Sequence, residues 1–322
     1  MKVLLTFLAG LALFFLSFST QDVGFPLREV NTPVELGAKL FFDKILSLDQ
    51  SISCASCHNP KFAFADSTAL SEGVGDSLGS RNAPSVMNMA SRPYFFYDGR
   101  AATLEEQAMG PIENPVEMHL SYASAVERVQ QNKEYQLLFN KIYGTAPDSA
   151  NIIGAIADFE RSLESGGSAP FDQWMAGNEA AMTESAKRGH KIFLEKGLCF
   201  ECHFSPDFTG DEFRNIGLYD GVTLTDRGRF DVTKDSADLG KFKVPGMRNI
   251  ALTPPYMHDG RFQTLREVID FYDDFRPFVK NPINIDSLIE KPLHLTEQEK
   301  VDLENFLISL TDEVIPYQEV KI

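Results

Sequence analysis

Apolar residues recur at helical spacing from Ile152 to Leu163 and from Val301 to Leu310, and no strong run of alternating apolar and polar positions stands out. Helix starts are marked by Thr with Glu three residues on, at Thr32/Glu35, Thr264/Glu267 and Thr296/Glu299, and Pro33 sits where a first helical residue belongs. Long stretches punctuated by Gly and Pro, such as 71–81 and 207–243, separate these helices. The pattern predicts an all-α chain with long irregular loops.

The same pattern repeats. Residues 83–107 align without a gap to residues 244–268 at a constant offset of 161, with ten identical positions that include Pro84/Pro245, Asn88/Asn249, Asp98-Gly99-Arg100/Asp259-Gly260-Arg261 and Thr103-Leu104/Thr264-Leu265. Such a repeat predicts two versions of one domain. The division falls near Ser165-Gly166-Gly167-Ser168, giving domains over 20–165 and 166–322. Ahead of them, a run of apolar and small residues from Val3 to Ser19 follows Met1-Lys2, and Ser17 and Ser19 offer small residues at the positions a signal peptidase inspects. Residues 1–19 are therefore expected to be an export signal, with an uncleaved anchor as the alternative.

Composition narrows the partners. In 322 residues, 30 Lys and Arg face 46 Asp and Glu for a formal net charge of −16, which offers no electrostatic footprint for a phosphate backbone. Nucleic acid is excluded as the expected partner, and basic proteins remain candidates. Four cysteines in an exported chain would ordinarily suggest two disulfides, but here all four lie in two copies of one pentapeptide, Cys54-Ala-Ser-Cys57-His58 and Cys199-Phe-Glu-Cys202-His203. This is the attachment signal for c-type haem. Two thiols three positions apart can each add to one porphyrin vinyl group, and the adjacent imidazole is then held against the iron. A shared zinc site would need the pairs much closer in sequence and would leave each His idle, and a redox dithiol would need a β-α-β context that is missing.

The repeat is most informative where it fails. The Asp-Gly-Arg-x-x-Thr-Leu-x-Glu run should open a helix over each haem, and the offset of 161 places Pro111 opposite Tyr272. A tyrosine oxygen can bind iron and a proline has no donor, so one haem would be closed and the other left open to a small ligand. The plain alternatives are that the frame does not persist to that point, or that Tyr272 is a core aromatic. Near the open position lie Gln107 and Glu117. A carboxylate can take a proton from one peroxide oxygen and return it to the other, with the amide orienting the ligand, although a glutamate in a Pro-rich loop is ordinarily a solvated residue.

With these residues assembled, the chain resembles the bacterial di-haem cytochrome c peroxidase superfamily, which includes the MauG-like branch. The resemblance rests on both haem motifs, Arg81-Asn82-Ala83-Pro84-Ser85, the two Asp-Gly-Arg runs, Gln107/Pro111/Glu117 and Pro255-Tyr256-Met257-His258-Asp259-Gly260. It implies two cytochrome c-like domains, with hydrogen peroxide reduced at the N-terminal haem and electrons entering at the C-terminal one from a small cytochrome c or cupredoxin in the periplasm. It further implies Glu117 and Gln107 as the catalytic pair and a calcium site at Asn82 with carbonyls near Thr253 and Pro255. Tyr97 stands where the family usually has a Trp between the haems, and the only Trp here, Trp174, lies elsewhere. Val74 falls where many family members carry a gating His, so the N-terminal haem is expected to be open without prior reduction. The second ligand of the C-terminal haem is Tyr272, as in the MauG-like branch, or Met257. Two rival activities stay open: oxidation of a protein side chain, and plain di-haem electron transfer. A homodimer is compatible with all three.

Overall fold

The computed structural model describes residues 29–318 and residue 320, so the expected export signal over residues 1–19 lies outside the described residues. Helix α1 (Pro33–Phe42) begins at its capping box. The Glu35 N–H donates to the Thr32 hydroxyl, and the Thr32 N–H donates back to the Glu35 carboxylate at 2.9 Å. A single turn, α2 (Cys54–Cys57), carries the first cysteine pair, and α3 (Leu104–Glu113), α4 (Tyr122–Gln131), α5 (Lys133–Tyr143) and α6 (Ser149–Arg161) follow. The second half contains α7 (Pro170–Met175), α8 (Glu184–Leu194), α9 (Phe230–Thr233), α10 (Leu265–Asp273) and α11 (Glu297–Ile308).

The two helices read from apolar spacing start earlier than that spacing does. Asp148 caps α6 by accepting the Asn151 N–H at 2.9 Å, and Thr296 caps α11, so polar first turns precede the apolar stripe in both. The all-α expectation needs one small amendment, an antiparallel ribbon of β1 (Phe213–Arg214) and β2 (Phe242–Lys243) with Phe213 opposite Lys243. Its second strand fastens the other half, because the Lys243 N–H donates to the Tyr97 carbonyl at 2.7 Å.

Each half is built on one helix crossing. Helix α1 meets α6 at Gly37, and α8 meets α11 at Gly189. A Cβ on Gly37 would fall on the Ala155 carbonyl and against Phe159, and one on Gly189 would fall on the Asp302 carbonyl and against Phe306. Glycine is what lets the backbones approach this closely. One turn beyond each glycine, Phe41 packs on Phe159 with ring centroids 5.0 Å apart, and Phe193 packs on Phe306 at 5.1 Å. Phe64 completes the first aromatic triad and Phe208 the second.

Backbone detail repeats at the 161-residue spacing as well. The isolated bridge Phe95–Ala101 recurs as Tyr256–Phe262, and left-handed backbone at Asn88 (φ 59°) recurs at Asn249 (φ 61°). Asparagine tolerates that conformation better than most residues. The buried apolar side chains gather into two main clusters, one drawn from residues 30–163 with Ile315 and the other from residues 171–310.

Ion pairs and hydrogen bonds join the halves. Arg92 pairs with Asp207 and, at 2.6 Å, with Asp211. Arg81 reaches Asp226 at 2.7 Å while holding Asp98 of its own half at 2.7 Å. Asn249 contacts Ser165 at 3.3 Å and Asp312 at 3.2 Å, fastening the segment between α6 and α7.

Candidate functional site

Both cysteine pairs open onto one cavity of about 760 Å³ between the halves. The candidate site residues line it: Cys54, Cys57 and His58; Cys199, Cys202 and His203; Gln107 and Glu117; Tyr97; Tyr272 and Met257; and Asn82, Thr253 and Pro255, whereas Val74 and Trp174 do not. Residues up to 218 positions apart in the chain thus share one enclosure.

The two His-bearing turns are held alike. His58 Nδ1 lies 3.2 Å from the Phe64 carbonyl and 3.1 Å from the Pro84 carbonyl, and His203 Nδ1 lies 2.8 Å from the Phe208 carbonyl. A carbonyl can only accept, so each Nδ1 carries the proton and each Nε2 keeps its lone pair for a metal. Burial also lowers both imidazoles, His203 to about 4, which keeps them neutral as ligation requires.

No disulfide joins any of the four cysteines. Burial pushes each of them up, Cys57 and Cys202 to about 11, which is opposite to the activation a redox dithiol needs. Among the described residues no three His, Cys, Asp or Glu side chains converge to hold a metal ion. Neutral thiols beside a neutral, pre-oriented imidazole on a largely apolar wall fit covalently attached haem. Two buried oxygens of cavity-lining residues, Gln107 Oε1 and Glu160 Oε2, also lack any hydrogen-bond partner in the protein.

Helices α3 and α10 both line the cavity. Helix α3 contributes Leu104, Gln107, Ala108 and Pro111, and α10 contributes Leu265, Val268, Ile269 and Tyr272. These are the same four positions at the offset of 161, with Thr103 and Thr264 capping the two helices. The frame therefore runs on to Pro111 and Tyr272. The two helices differ in chemistry at two lining positions: Gln107 stands where Val268 does, and Pro111 stands where Tyr272 does. Tyr272 lies near Cys202 and Cys199, and burial holds its phenol well above the ordinary value. Met257 reaches the same cavity from a backbone position at φ 73°.

Glu117 occupies the turn that follows α3. Asn114 Nδ2 donates to Glu117 Oε1 at 2.6 Å, and the Val74 N–H donates to the Glu117 carbonyl at 2.8 Å. Burial raises the Glu117 carboxyl, while the Asn114 hydrogen bond and the Arg100 charge pull it back. Val74 itself is buried beneath this turn. Tyr97 stands between the halves with its ring 6.4 Å from that of His258, which stacks on Phe242 at 3.8 Å. Burial raises the Tyr97 phenol and lowers His258 to about 4.

Three lining residues carried no sequence signal of their own. Asn114 was hidden in the Pro-rich turn, Lys243 sits on β2 with its ammonium lowered to about 8 by burial, and Glu160 is an inward position of α6.

Residues 31–180 match the family model for di-haem cytochrome c peroxidase. The methylamine utilization protein MauG of Methylorubrum extorquens is 38% identical over 91% of this chain and 82% of its own. The chain belongs to the di-haem cytochrome c peroxidase and MauG family. Cytochrome c551 peroxidase of Nitrosomonas europaea is 39% identical over 73% of this chain and 71% of its own. A crystal structure of a MauG-like protein associated with microbial copper homeostasis superposes with a TM-score of 0.81 at 35% identity, over 87% of this chain and 89% of that one. The helix-rich architecture is thus that of the di-haem family, the protein is a cytochrome c peroxidase-like oxidoreductase, and the family's two c-type haems correspond in number to the two cysteine motifs. Peroxidases and MauG proteins both stand among its relatives.

Proposed function

We propose that the protein reduces hydrogen peroxide to water at the N-terminal cysteine motif, in a fold that arose by duplication of one haem domain and divides near residue 165. The cofactors, held by Cys54, Cys57 and His58 and by Cys199, Cys202 and His203, supply redox-active iron that passes single electrons. The chain's own residues do the rest. Glu117 takes the proton from the nearer peroxide oxygen and delivers it to the farther one, so that the O–O bond breaks with water as the leaving group. Gln107 directs its free Oε1 at the ligand's hydrogens. Overall, one peroxide, two electrons and two protons give two waters, the electrons coming from a small cytochrome c or cupredoxin. Tyr97 relays them between the halves, and the exposed apolar side chains of Leu194, Leu198 and Phe204 beside the second cysteine pair suit a redox partner's approach.

The observation that carries this reading is the pair of exchanged wall positions, Gln107/Val268 and Pro111/Tyr272. At these positions one helix offers an amide and no iron ligand, and the other a phenol and an aliphatic side chain. The N-terminal site is accordingly open in the ferric protein as isolated, since Val74 supplies no ligand in place of a gating histidine. Spin resonance of the untreated protein tests this directly: one high-spin haem and turnover without pre-reduction are expected, and two low-spin haems would overturn it.

Tyr272 also favours a second reading, in which the same peroxide chemistry is aimed at a protein side chain. A tyrosinate ligand stabilises oxidised iron more than the Met257 thioether would. Rapid consumption of peroxide with reduced cytochrome c supports the first reading, and slow consumption with unimpaired peroxide binding supports the second. Calcium is proposed between the halves at Asn82 and the carbonyls of Thr253 and Pro255. Asn82 Nδ2 donates to the Thr68 carbonyl at 3.0 Å, which leaves Oδ1 for a cation. The location proposed is the periplasm, supported by the apolar N-terminal run.

A further inference from the structure

The crossings α1/α6 and α8/α11 put the walls in register, because Gly37 meets Ala155 and Phe159 as Gly189 meets Asp302 and Phe306. In that register Ile156 corresponds to Leu303 and Glu160 to Leu307, and all four line the cavity. The C-terminal half thus shows an aliphatic wall where the N-terminal half shows a carboxyl. Glu160 is 4% exposed, and its Oε2 has no hydrogen-bond partner.

We infer that Glu160 is a redox-linked proton carrier of the N-terminal haem site, releasing a proton when that site loses an electron and recovering it when the electron returns. The inference rests on the reading above only in requiring a haem at Cys54 and Cys57. On oxidation by one electron the Glu160 O–H bond breaks and the proton passes to solvent; on reduction by the donor protein the carboxylate takes one proton back. Peroxide reduction consumes one proton per electron, so a group that moves both together suits the proposed site.

The physical cause is local. A carboxylate buried without a hydrogen-bond donor is costly, so an uncharged cofactor environment keeps the acid protonated and added positive charge at the iron favours its release. Burial raises Glu160 to about 8, Arg161 beside it pulls it back, and Glu105 of α3 pushes it up. Charges on the other packed elements are engaged elsewhere. On α1, Glu35 serves its capping box and Lys39 pairs with Glu134; on α4, Arg128 donates to the carbonyls of Ile45, Ser47 and Leu48 and Glu127 accepts from Gln131. Cys54 of α2 feels the Glu160 charge and is neutral once thioether-bonded.

The test is a redox titration of the holoprotein from pH 6 to pH 10 that follows the two haems separately. At fixed applied potential the oxidised-to-reduced ratio of the N-terminal haem should rise with pH, by up to about tenfold per unit, the limit for one proton per electron. In Glu160→Gln that slope should flatten, leaving only what the Glu117 carboxyl at the same site contributes, while the C-terminal haem responds as in the native protein. A slope undiminished in Glu160→Gln, or a native slope that is flat, overturns the inference. Should Glu160→Gln fold poorly, infrared difference spectra of the native protein decide the matter: oxidation must remove a protonated-carboxyl band that shifts in deuterium oxide, and its persistence overturns the inference. Loss of peroxide turnover is not the readout, so failure of the peroxidase reading would leave this result standing, and a count of two haems per chain by mass checks the requirement they share.

Discussion

The N-terminal and C-terminal walls of the cavity share a backbone and differ in what they present. Helices α3 and α10 start at equivalent Thr caps and point four equivalent positions inward, yet one presents Gln107 and Pro111 and the other Val268 and Tyr272. Helices α6 and α11 repeat the pattern with Glu160 and Leu307. Among these helix positions the polar oxygens without partners belong to α3 and α6, whereas α10 and α11 present aliphatic side chains and the Tyr272 phenol. One scaffold can thus serve an open reaction site and a closed electron site, because the scaffold depends on the glycine crossings and aromatic triads, which are alike in both halves. Chemistry depends on a few inward positions that those elements leave free to vary.

The largest effect expected from breaking this contrast comes from Glu117→Gln. Removing a positioned acid-base group should lower peroxide turnover by about 10²–10⁴-fold while mass still shows two haems per chain. A loss below tenfold would mean that the N-terminal wall does not handle the proton. Next come the glycines. Gly37→Ala and Gly189→Ala each push a methyl group onto a backbone carbonyl that cannot rotate away, so each should destabilise the protein by about 1–3 kcal/mol or more in a denaturant titration. Unequal losses would show that the two crossings do not do the same work.

Tyr272→Phe should convert the C-terminal haem from low-spin to high-spin, doubling the high-spin signal in spin resonance. An unchanged spectrum, with conversion in Met257→Ala instead, would transfer the ligand role to Met257. The smallest effect concerns pH. Glu117 must be ionised to accept a proton and its carboxyl is raised by burial, so kcat/KM should fall on acidification at a pH above that of an ordinary glutamate. Asn114→Ala removes a hydrogen bond that favours the carboxylate. It should shift that limb further up, lowering activity in mild acid and leaving alkaline activity unchanged.

Much of the fold could be read without coordinates. The caps at Thr32, Thr264 and Thr296 start helices at those residues, since a cap is satisfied by atoms three residues away. The apolar spacing identified α6 and α11 but not their first turns, which are polar and are set by Asp148 and Thr296. The β1–β2 ribbon was missed because strands two residues long carry no periodicity. His258 lines the cavity, and its stacking on Phe242 joins segments whose proximity no spacing reveals. Glu160 carries no signal in the apolar spacing of its helix. Its meaning lies in the burial of Oε2 without a partner.

By itself, the sequence determined the two cysteine motifs, the helix starts and the repeat. Cysteine spacing, capping and identity at a fixed offset are local or self-referential, so they need no knowledge of what packs where. Tertiary structure alone decided that both motifs open onto one cavity, that Glu117 is held by Asn114 over it, and that Glu160 enters it where Leu307 does in the other half. Those outcomes turn on desolvation and on which distant groups converge, and a buried oxygen without a partner exists only once the whole chain has closed around it.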